Sequence, residues 1–394
     1  AAVYLTYFGI ETKRFNKAIK EKVSENNNKI NIELNKVKIV LNPANFTIAV
    51  KTKNPNIVAE DKKIKLEKIN ASLSLGSLFK KNFSIKNAKI ISKENDLKEI
   101  IGLIRIIKNS PQLFIADQMI KGGSIFANID LYFNDKGNLA RNFSINGSVK
   151  DGEIRLINKK KISKIDFNFD IQDGQYLLEN TEIEYEKTKL SSNKIKIKNK
   201  DNSFLFDGDF SSSKAEINSS LLALIFKSNL KKKGFDNINF TTNNNFSFIL
   251  SKKIKISDFK INSKINLHKL IYSKNNNSLK KFIPNYNNII ELIDHKIDLS
   301  FVKKKFTIKG NGKFLIDKKT DKINYEIKHS NDKYNFKSQI KLDNIPLKIE
   351  LFNYTKKENE NSSLNFAGVY NKNKNIYLQN ISLKESENNF KIKG

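Results

Sequence analysis

The chain has 394 residues, with 72 Lys and Arg against 41 Asp and Glu, which gives a formal net charge of +31. It has no Cys, so disulfide frameworks and thiolate chemistry are excluded. Nearly all of the cations are Lys. Because Lys lacks the planar fork that reads base edges and phosphates, the composition argues against specific nucleic-acid recognition. Two interpretations of the charge stay open, a solvated Lys-rich surface and an attraction to anionic lipid or nucleic acid.

The segment up to Ile10 is uncharged and ends in aromatic residues, and Glu11, Lys13 and Arg14 follow it. This order is typical of the last turns of a transmembrane helix that leaves the bilayer through an aromatic belt. An ordinary first strand explains the segment equally well. No other stretch reaches the roughly 20 apolar residues that span a bilayer. The final residues stop inside an alternating pattern, so we expect a fragment of a longer protein.

Helical periodicity occurs in few places. Apolar residues spaced by four predict a helix over residues 12–27, with Thr12 as its N-cap. A period of 3.6 predicts a helix over residues 96–108, which Pro111 ends. We also predict a helix at about 215–229, and leave 279–293 open between helix and loop.

Elsewhere, apolar residues recur at every second position, which predicts antiparallel strands. A small pattern, apolar-x-apolar-x-Gly, recurs among these strands. A Gly on the continuing face of a strand indicates a bulge or a bend. The glycines of this pattern are Gly147, Gly208, Gly310 and Gly368.

Each predicted strand has one apolar side, rich in Ile, Phe, Leu and Val, and one side of Lys, Asn, Ser or Asp. Such a sheet has a dry face that needs a cover, because large exposed apolar patches are rare outside binding sites. Two short helices cannot cover so many strands. Either two sheets cover each other in a sandwich, or one sheet curls and leaves an apolar trough.

Catalytic chemistry has no support in the sequence. The three histidines, His268, His295 and His329, are far apart and lack metal-ligand spacing, so we interpret each as solvated. Gly122 and Gly123 precede a strand rather than a helix, which indicates a turn and not a phosphate loop. We therefore expect a protein that is not an enzyme, with no catalytic residues, no metal and no cofactor.

The first hundred residues resemble the start of AsmA-like proteins, the family of bacterial envelope proteins that includes the YhdP and TamB type. The matching stretches are FGI at 8–10, IELNKVKI at 32–39, LNPANFTI at 41–48, KINASLSL at 68–75, SLF at 77–79 and FSIKNAKI at 83–90. Residues 142–156 and 306–316 are similar to the middle region of the family, closest to the YhdP branch. The resemblance is a pattern of strands and turns, best over the first hundred residues and weak over the rest.

The resemblance implies a mainly β fold, an elongated and twisted antiparallel sheet curled into an apolar groove, with a short N-terminal helix and one or two inserted helices. It implies an inner-membrane anchor and a periplasmic groove that passes phospholipid toward the outer membrane of a Gram-negative bacterium. The expected segments are the end of a truncated transmembrane anchor at 1–11, an AsmA-like module at 12–120, and a repeating β-groove region at 121–394 that is open at its C-terminal end.

The expected partners are phospholipid acyl chains and the inner membrane, with inner- or outer-membrane proteins as further candidates and no nucleic acid. Three alternatives stay open: a structural β scaffold, an assembly factor for outer-membrane proteins without lipid conduction, and a basic nucleic-acid-binding protein. The residues that we predict to line the groove are Ile48, Val50, Leu73, Leu75, Ile129, Leu131, Phe133, Phe167 and Phe169.

Overall fold

A computed structural model describes most of the chain. The described residues are 2–75, 85–134, 138–140, 142–156, 160–185, 188–201, 203–217, 234–253, 255–274, 277–371, 376–385 and 388–393. The helices are α1 Ala2–Tyr7, α2 Asn16–Asn26, α3 Leu97–Ile107, α4 Pro111–Met119 and α5 Asn277–Lys280, and a 3₁₀ turn spans Glu350–Phe352.

Strands make up most of the described residues, as the alternating pattern predicted. The first strands are β1 Ile10–Thr12, β2 Asn31–Glu33, β3 Val37–Asn42, β4 Thr47–Lys53, β5 Asn56–Ala59, β6 Lys62–Ser74, β7 Ile85–Ser92, β8 Asn95–Asp96, β9 Ile120–Tyr132, β10 Ser144–Arg155, β11 Lys161–Gln172, β12 Gln175–Tyr185 and β13 Thr188–Lys200. The later strands are β14 Ser203–Ile217, β15 Phe235–Ser251, β16 Ile256–Ser273, β17 Ile289–Val302, β18 Lys305–Ile316, β19 Lys319–Ser330, β20 Lys333–Lys341, β21 Leu347–Ile349, β22 Tyr354–Lys356, β23 Ser362–Asn371, β24 Ile376–Glu385 and β25 Asn388–Lys393.

The prediction of a mainly β protein with one long antiparallel sheet and a few short helices is confirmed. Hydrogen bonds join 23 of these strands into one sheet, and β21 and β22 form a separate pair. Tight turns join successive long strands from β17 to β20. The turns after β17, β18 and β19 each have two residues with positive φ, which matches the type I′ geometry that a twisted hairpin favours.

The helix over 96–108 is confirmed as α3, and Asp96 caps it by accepting hydrogen bonds from the backbone N–H groups of Lys98 and Glu99. The N-terminal helix is also present, but Thr12 is not its N-cap. Thr12 belongs to β1, where it pairs with Val37 of β3, and α2 begins only at Asn16. Sheet pairing overrides the local capping signal here.

Pro111 ends no helix, contrary to the prediction. It occupies the first turn of α4, and the side chain of Ser110 caps that helix by accepting from the N–H of Leu113. Proline suits this position because its missing N–H has no partner in a first turn. The segment 279–293 divides into the end of α5, a loop and the start of β17. The helix predicted over 215–229 lies mostly outside the described residues, and its first three residues belong to β14.

Two compact units divide the chain. Unit 1 comprises residues 1–187 and 191–199, and unit 2 comprises residues 188–190 and 200–394. In unit 1, α3 packs on β6 and β9, where Leu66 and Leu103 are buried. In unit 2, a hydrophobic core forms where α5 and the β21–β22 pair meet the ends of β18, β20 and β24.

Candidate functional site: two apolar sheet faces

The apolar side chains of unit 1 form one continuous face across neighbouring strands. Ile48 of β4 lies opposite Leu73 of β6, and Ile129 of β9 lies opposite Ile90 of β7 and Ile145 of β10. Directly opposed residues of an antiparallel pair point to the same side of the sheet. We call this surface the unit 1 face; it consists of Ile39, Leu41, Ile48, Val50, Ile69, Ala71, Leu73, Ala88, Ile90, Ile129, Leu131, Ile145, Val149, Phe167, Phe169 and Ile171.

The nine residues predicted to line a groove lie on or beside this surface. Leu75 and Phe133 follow β6 and β9, and Phe133 forms an isolated bridge with Leu139. All nine are half-buried, and none is fully buried. Inward side chains of a packed sandwich form a core between two layers. Within the described part of the chain, these nine have the partial exposure of a face that is flanked by its own neighbours rather than packed as a core.

Unit 2 has an equivalent face. Leu299 of β17 lies opposite Ile308 of β18, which lies opposite Ile327 of β19 and, one strand further, Phe336 of β20. The pairing continues through β23, β24 and β25. We call this surface the unit 2 face; its apolar members include Phe206, Phe248, Ile261, Ile297, Leu299, Phe301, Phe306, Ile308, Ile327, Phe336, Phe366 and Ile381.

Aromatic rings follow one margin of the unit 2 face. Ring centroids are 4.7 Å apart between Phe206 and Phe248, and 5.8 Å apart between Phe259 and Phe301. Phe301 lies opposite Phe306 in the sheet register. The series continues through His329, with centroids 4.9 Å from Phe306 and 4.5 Å from Tyr334, and then 5.7 Å from Tyr334 to Tyr370. We call Phe206, Phe248, Phe259, Phe301, Phe306, His329, Tyr334 and Tyr370 the aromatic row.

The opposite margin of the unit 2 face is closed. Residues 277–287 and 342–356, which we call the plug, pack over the ends of the strands and bury Phe314, Ile316 and Leu383. Ile345 within the plug is only 1% exposed. The unit 2 face therefore has two unlike margins, one with a row of rings and one with a packed core.

A buried ammonium group holds the plug together. Lys356 is fully buried, and its Nζ donates to the backbone carbonyls of Asp343, Ile345 and Lys357 at 3.2, 3.2 and 2.8 Å. The carboxylate of Asp321 on β19 accepts from the backbone N–H groups of Asp343 and Ile345 at 3.0 and 2.9 Å. Burial lowers the pKa of Lys356, and the nearby Asp321 carboxylate opposes that shift.

Glycines on the two faces make room for cross-strand rings. A Cβ on Gly310 would lie 2.3 Å from the ring of Tyr325, and a Cβ on Gly147 would lie 2.8 Å from the ring of Phe169. The strand register is regular at both glycines, so the predicted bulge or bend is wrong there; Gly368 does lie at a register shift. The pattern apolar-x-apolar-x-Gly marks places where a ring lies across a neighbouring strand.

The middle of the unit 2 face contains a polar pair. His295 is 1% exposed, and its Nε2 donates to the carbonyl of Lys313 at 2.9 Å. Its Nδ1 lies 3.3 Å from the hydroxyl of Tyr325, which donates to it. Burial lowers the pKa of His295 and raises the pKa of Tyr325 to about 12, so both groups are neutral near pH 7.

The interpretation of all three histidines as solvated is wrong for His295. Gly312 leaves the space into which its ring fits, since a Cβ there would lie 2.3 Å from the ring. His329 is half-buried between Phe306 and Tyr334, and His268 is exposed. Only the register of β17, β18 and β19 brings Gly312 beside His295, and the sequence does not specify that register.

The side of the sheet opposite the unit 2 face is polar and its charges alternate. Glu326 of β19 forms ion pairs with Lys309 at 3.6 Å and with Lys328 at 3.1 Å, and Lys269 lies 2.9 Å from Glu291. In the described residues, no group of three or more His, Cys, Asp or Glu side chains is placed to hold a metal ion. No helix within the described part of the chain is long and apolar enough to cross a bilayer.

Comparisons with models of known protein families, with curated proteins and with solved structures gave no match.

Proposed function

We propose that the chain holds phospholipid acyl chains on its apolar sheet faces and forms part of a conduit between the inner and outer membranes. The half-burial of most of the unit 1 face, in which Ala88 and Val149 are buried, is the observation on which this proposal depends. A continuous surface of Ile, Leu, Val and Phe side chains without a second layer is unusual unless something binds to it. Each acyl methylene moved from water onto such a surface contributes about 0.8 kcal/mol, so a single chain supplies ample binding energy.

The mechanism needs no chemical step. Acyl chains lie on the apolar faces while the head groups stay in water, and lipids move from strand to strand along the hydrogen-bonding direction. Neighbouring strands are about 4.8 Å apart, so a lipid moves by only about this distance when it passes from one strand to the next along the apolar face. The AsmA-like resemblance of the first hundred residues supports the placement of this path in the periplasm, beside an inner-membrane anchor. We further propose that the protein is not an enzyme.

The alternating charges disfavour the nucleic-acid alternative. A nucleic-acid surface requires a stripe of uncompensated cations that faces the phosphates. In unit 1, Lys164 lies 2.9 Å from Glu184 and Lys161 lies 2.7 Å from Glu153. These ion pairs join neighbouring strands, as the pair of Lys309 and Glu326 does in unit 2. Such pairs are typical of a sheet surface that faces water.

The test is lipid capture. The protein is purified from bacterial membranes without delipidation, and bound lipids are identified by mass spectrometry. We expect near-stoichiometric phospholipid with the natural sequence and a loss with Leu73→Asp, whose side chain lies on the unit 1 face. The control is Asn70→Asp, which adds the same charge on the other side of the same strand. A folded protein without lipid would reject the proposal and favour a structural scaffold.

A further inference from the structure

Lysines lie beside the aromatic row at its margin of the unit 2 face. The turn after β17 consists of Lys303 and Lys304, and Lys305 begins β18. These three side chains have no acidic partner within 4 Å among the described residues, and Phe306 of the aromatic row follows directly. Lys333 begins β20 beside Tyr334 and follows Asp332 of the preceding turn. The basic turns and the rings thus occupy the same margin.

Lys303 and Lys304 occupy a costly backbone conformation. Their φ angles are +48° and +66°, a region in which Asn and Gly are much preferred over longer side chains. Local turn stability therefore does not explain two lysines at this position. What these two lysines add to the turn is positive charge beside the aromatic row.

The unit 2 face is long enough to hold the hydrocarbon of one lipid leaflet between its margins. Tyr334 and Ile340 are about 20 Å apart along β20, at about 3.4 Å per residue. Ile340 packs against the plug. The hydrocarbon of a single leaflet is about 15 Å thick, half of the bilayer core. An acyl chain that starts at the aromatic row therefore fits on the face, with its methyl end toward the plug.

We propose that a glycerophospholipid binds the unit 2 face in one orientation, with its phosphate at the basic turns, its glycerol region at the aromatic row, and its acyl chains parallel to the strands with their methyl ends at the plug. Lys303, Lys304 and Lys333 supply the charge that complements the phosphate. Tyr and Phe rings suit the glycerol level because aromatic side chains favour the boundary between hydrocarbon and water. This inference rests on the proposed function, since it assumes that the face binds lipid.

The test is depth-specific crosslinking with the full chain. Two phosphatidylglycerol probes are loaded, one with a diazirine near the acyl carboxyl end and one with a diazirine at the methyl end, and adducts are mapped by mass spectrometry after illumination. We expect the first probe to label residues around Phe306 and Tyr334, and the second to label residues around Phe314 and Ile340. Equal or reversed distributions would overturn the orientation while leaving lipid binding intact. No adduct with either probe would reject the proposed function as well.

A pair of turn variants tests the charges separately. Lys303→Asn with Lys304→Gly removes two cations and installs the residues that the turn geometry prefers, so the fold is kept. The control for turn geometry is Asp317→Asn with Lys318→Gly in the next turn, at the plug margin, where both φ angles are also positive; it leaves the net charge unchanged. We expect a several-fold loss of bound phosphatidylglycerol for the first variant, with an unchanged or higher urea midpoint, and no loss for the control. Equal lipid occupancy in both variants would overturn the role of these lysines.

Discussion

The ring of His295 lies 3.3 Å, Nδ1 to hydroxyl oxygen, from Tyr325, although the two residues belong to strands that are not neighbours. Strand β18 runs between them and has Gly310 and Gly312 at the point where the rings approach each other, so the two rings meet across it. The polar atoms of this pair are hydrogen-bonded to each other and, through Nε2 of His295, to the carbonyl of Lys313. A polar pair without such partners would be costly on an apolar surface.

The folding stability is expected to fall below about pH 6.5, the ordinary pKa of His. Burial lowers the pKa of His295 in the folded protein, so the unfolded chain binds the proton more readily. The contribution of His295 to the free energy of unfolding is therefore fully present above the pKa that the residue has in the unfolded chain. This contribution is lost as the pH falls toward the pKa that it has in the folded protein. Urea midpoints measured between pH 7.5 and 5.5 check this.

The control for that experiment is a histidine outside the apolar face. His295→Gln is expected to flatten the acid side of the stability profile, whereas His268→Gln, at an exposed position, is expected to leave it unchanged. Identical slopes for His295→Gln and the natural sequence would show that the buried ring does not cause the acid sensitivity.

Gly310→Ala is expected to destabilise the protein by about 1–3 kcal/mol, the usual cost of forcing extra atoms into a packed site. The new Cβ would lie 2.3 Å from the Tyr325 ring. Gly122→Ala is the control, because nothing lies within 4 Å of a Cβ there; it is expected to be neutral or slightly stabilising. Denaturant unfolding of both variants measures the difference.

A double-mutant cycle identifies the cause. In a Tyr325→Ala background, the added methyl of Gly310→Ala meets no ring, so its cost is expected to vanish. A cost that persists in that background would attribute the effect to the strand backbone instead.

Lys356→Met is expected to cost about 3–5 kcal/mol, since it takes the ammonium donor from three backbone carbonyls, that of Ile345 being buried, and removes the charge that compensates Asp321. Lys348→Met, in the same plug but half-exposed beside Glu350, is expected to cost less than about 1 kcal/mol. Hydrogen exchange over residues 342–356 is expected to accelerate in the first variant only. Unchanged protection there would mean that hydrophobic packing alone holds the plug.

The sequence predicted those features that depend on local periodicity. Alternation placed Val50 and Leu73 on one face, and the structure shows them on one side of the sheet. The helical period predicted α3 almost to the residue. In these cases the spacing of the apolar residues directly indicates which side chains lie on the same surface.

Features that depend on long-range register could not be predicted. Phe259 and Phe301 meet only because β16 and β17 pair in a particular register, and no short pattern encodes that choice. The same holds for the burial of His295 and of Lys356. The prediction for Pro111 was wrong for a different reason. Proline occurs both after the end of a helix and in the first turn of a helix, and the residue type alone does not distinguish the two positions.

Cysteine accessibility tests the central claim most directly, since the natural sequence has no Cys. Val50→Cys places a single thiol on the unit 1 face, and Lys51→Cys places one on the opposite side of the same strand. Both variants are treated with a charged maleimide, first lipid-free and then after phospholipid loading. We expect Val50→Cys to react when lipid-free and to be protected after loading, while Lys51→Cys reacts in both states. A Val50→Cys thiol that is unreactive without lipid, or equally reactive with it, would contradict an open apolar face that binds acyl chains.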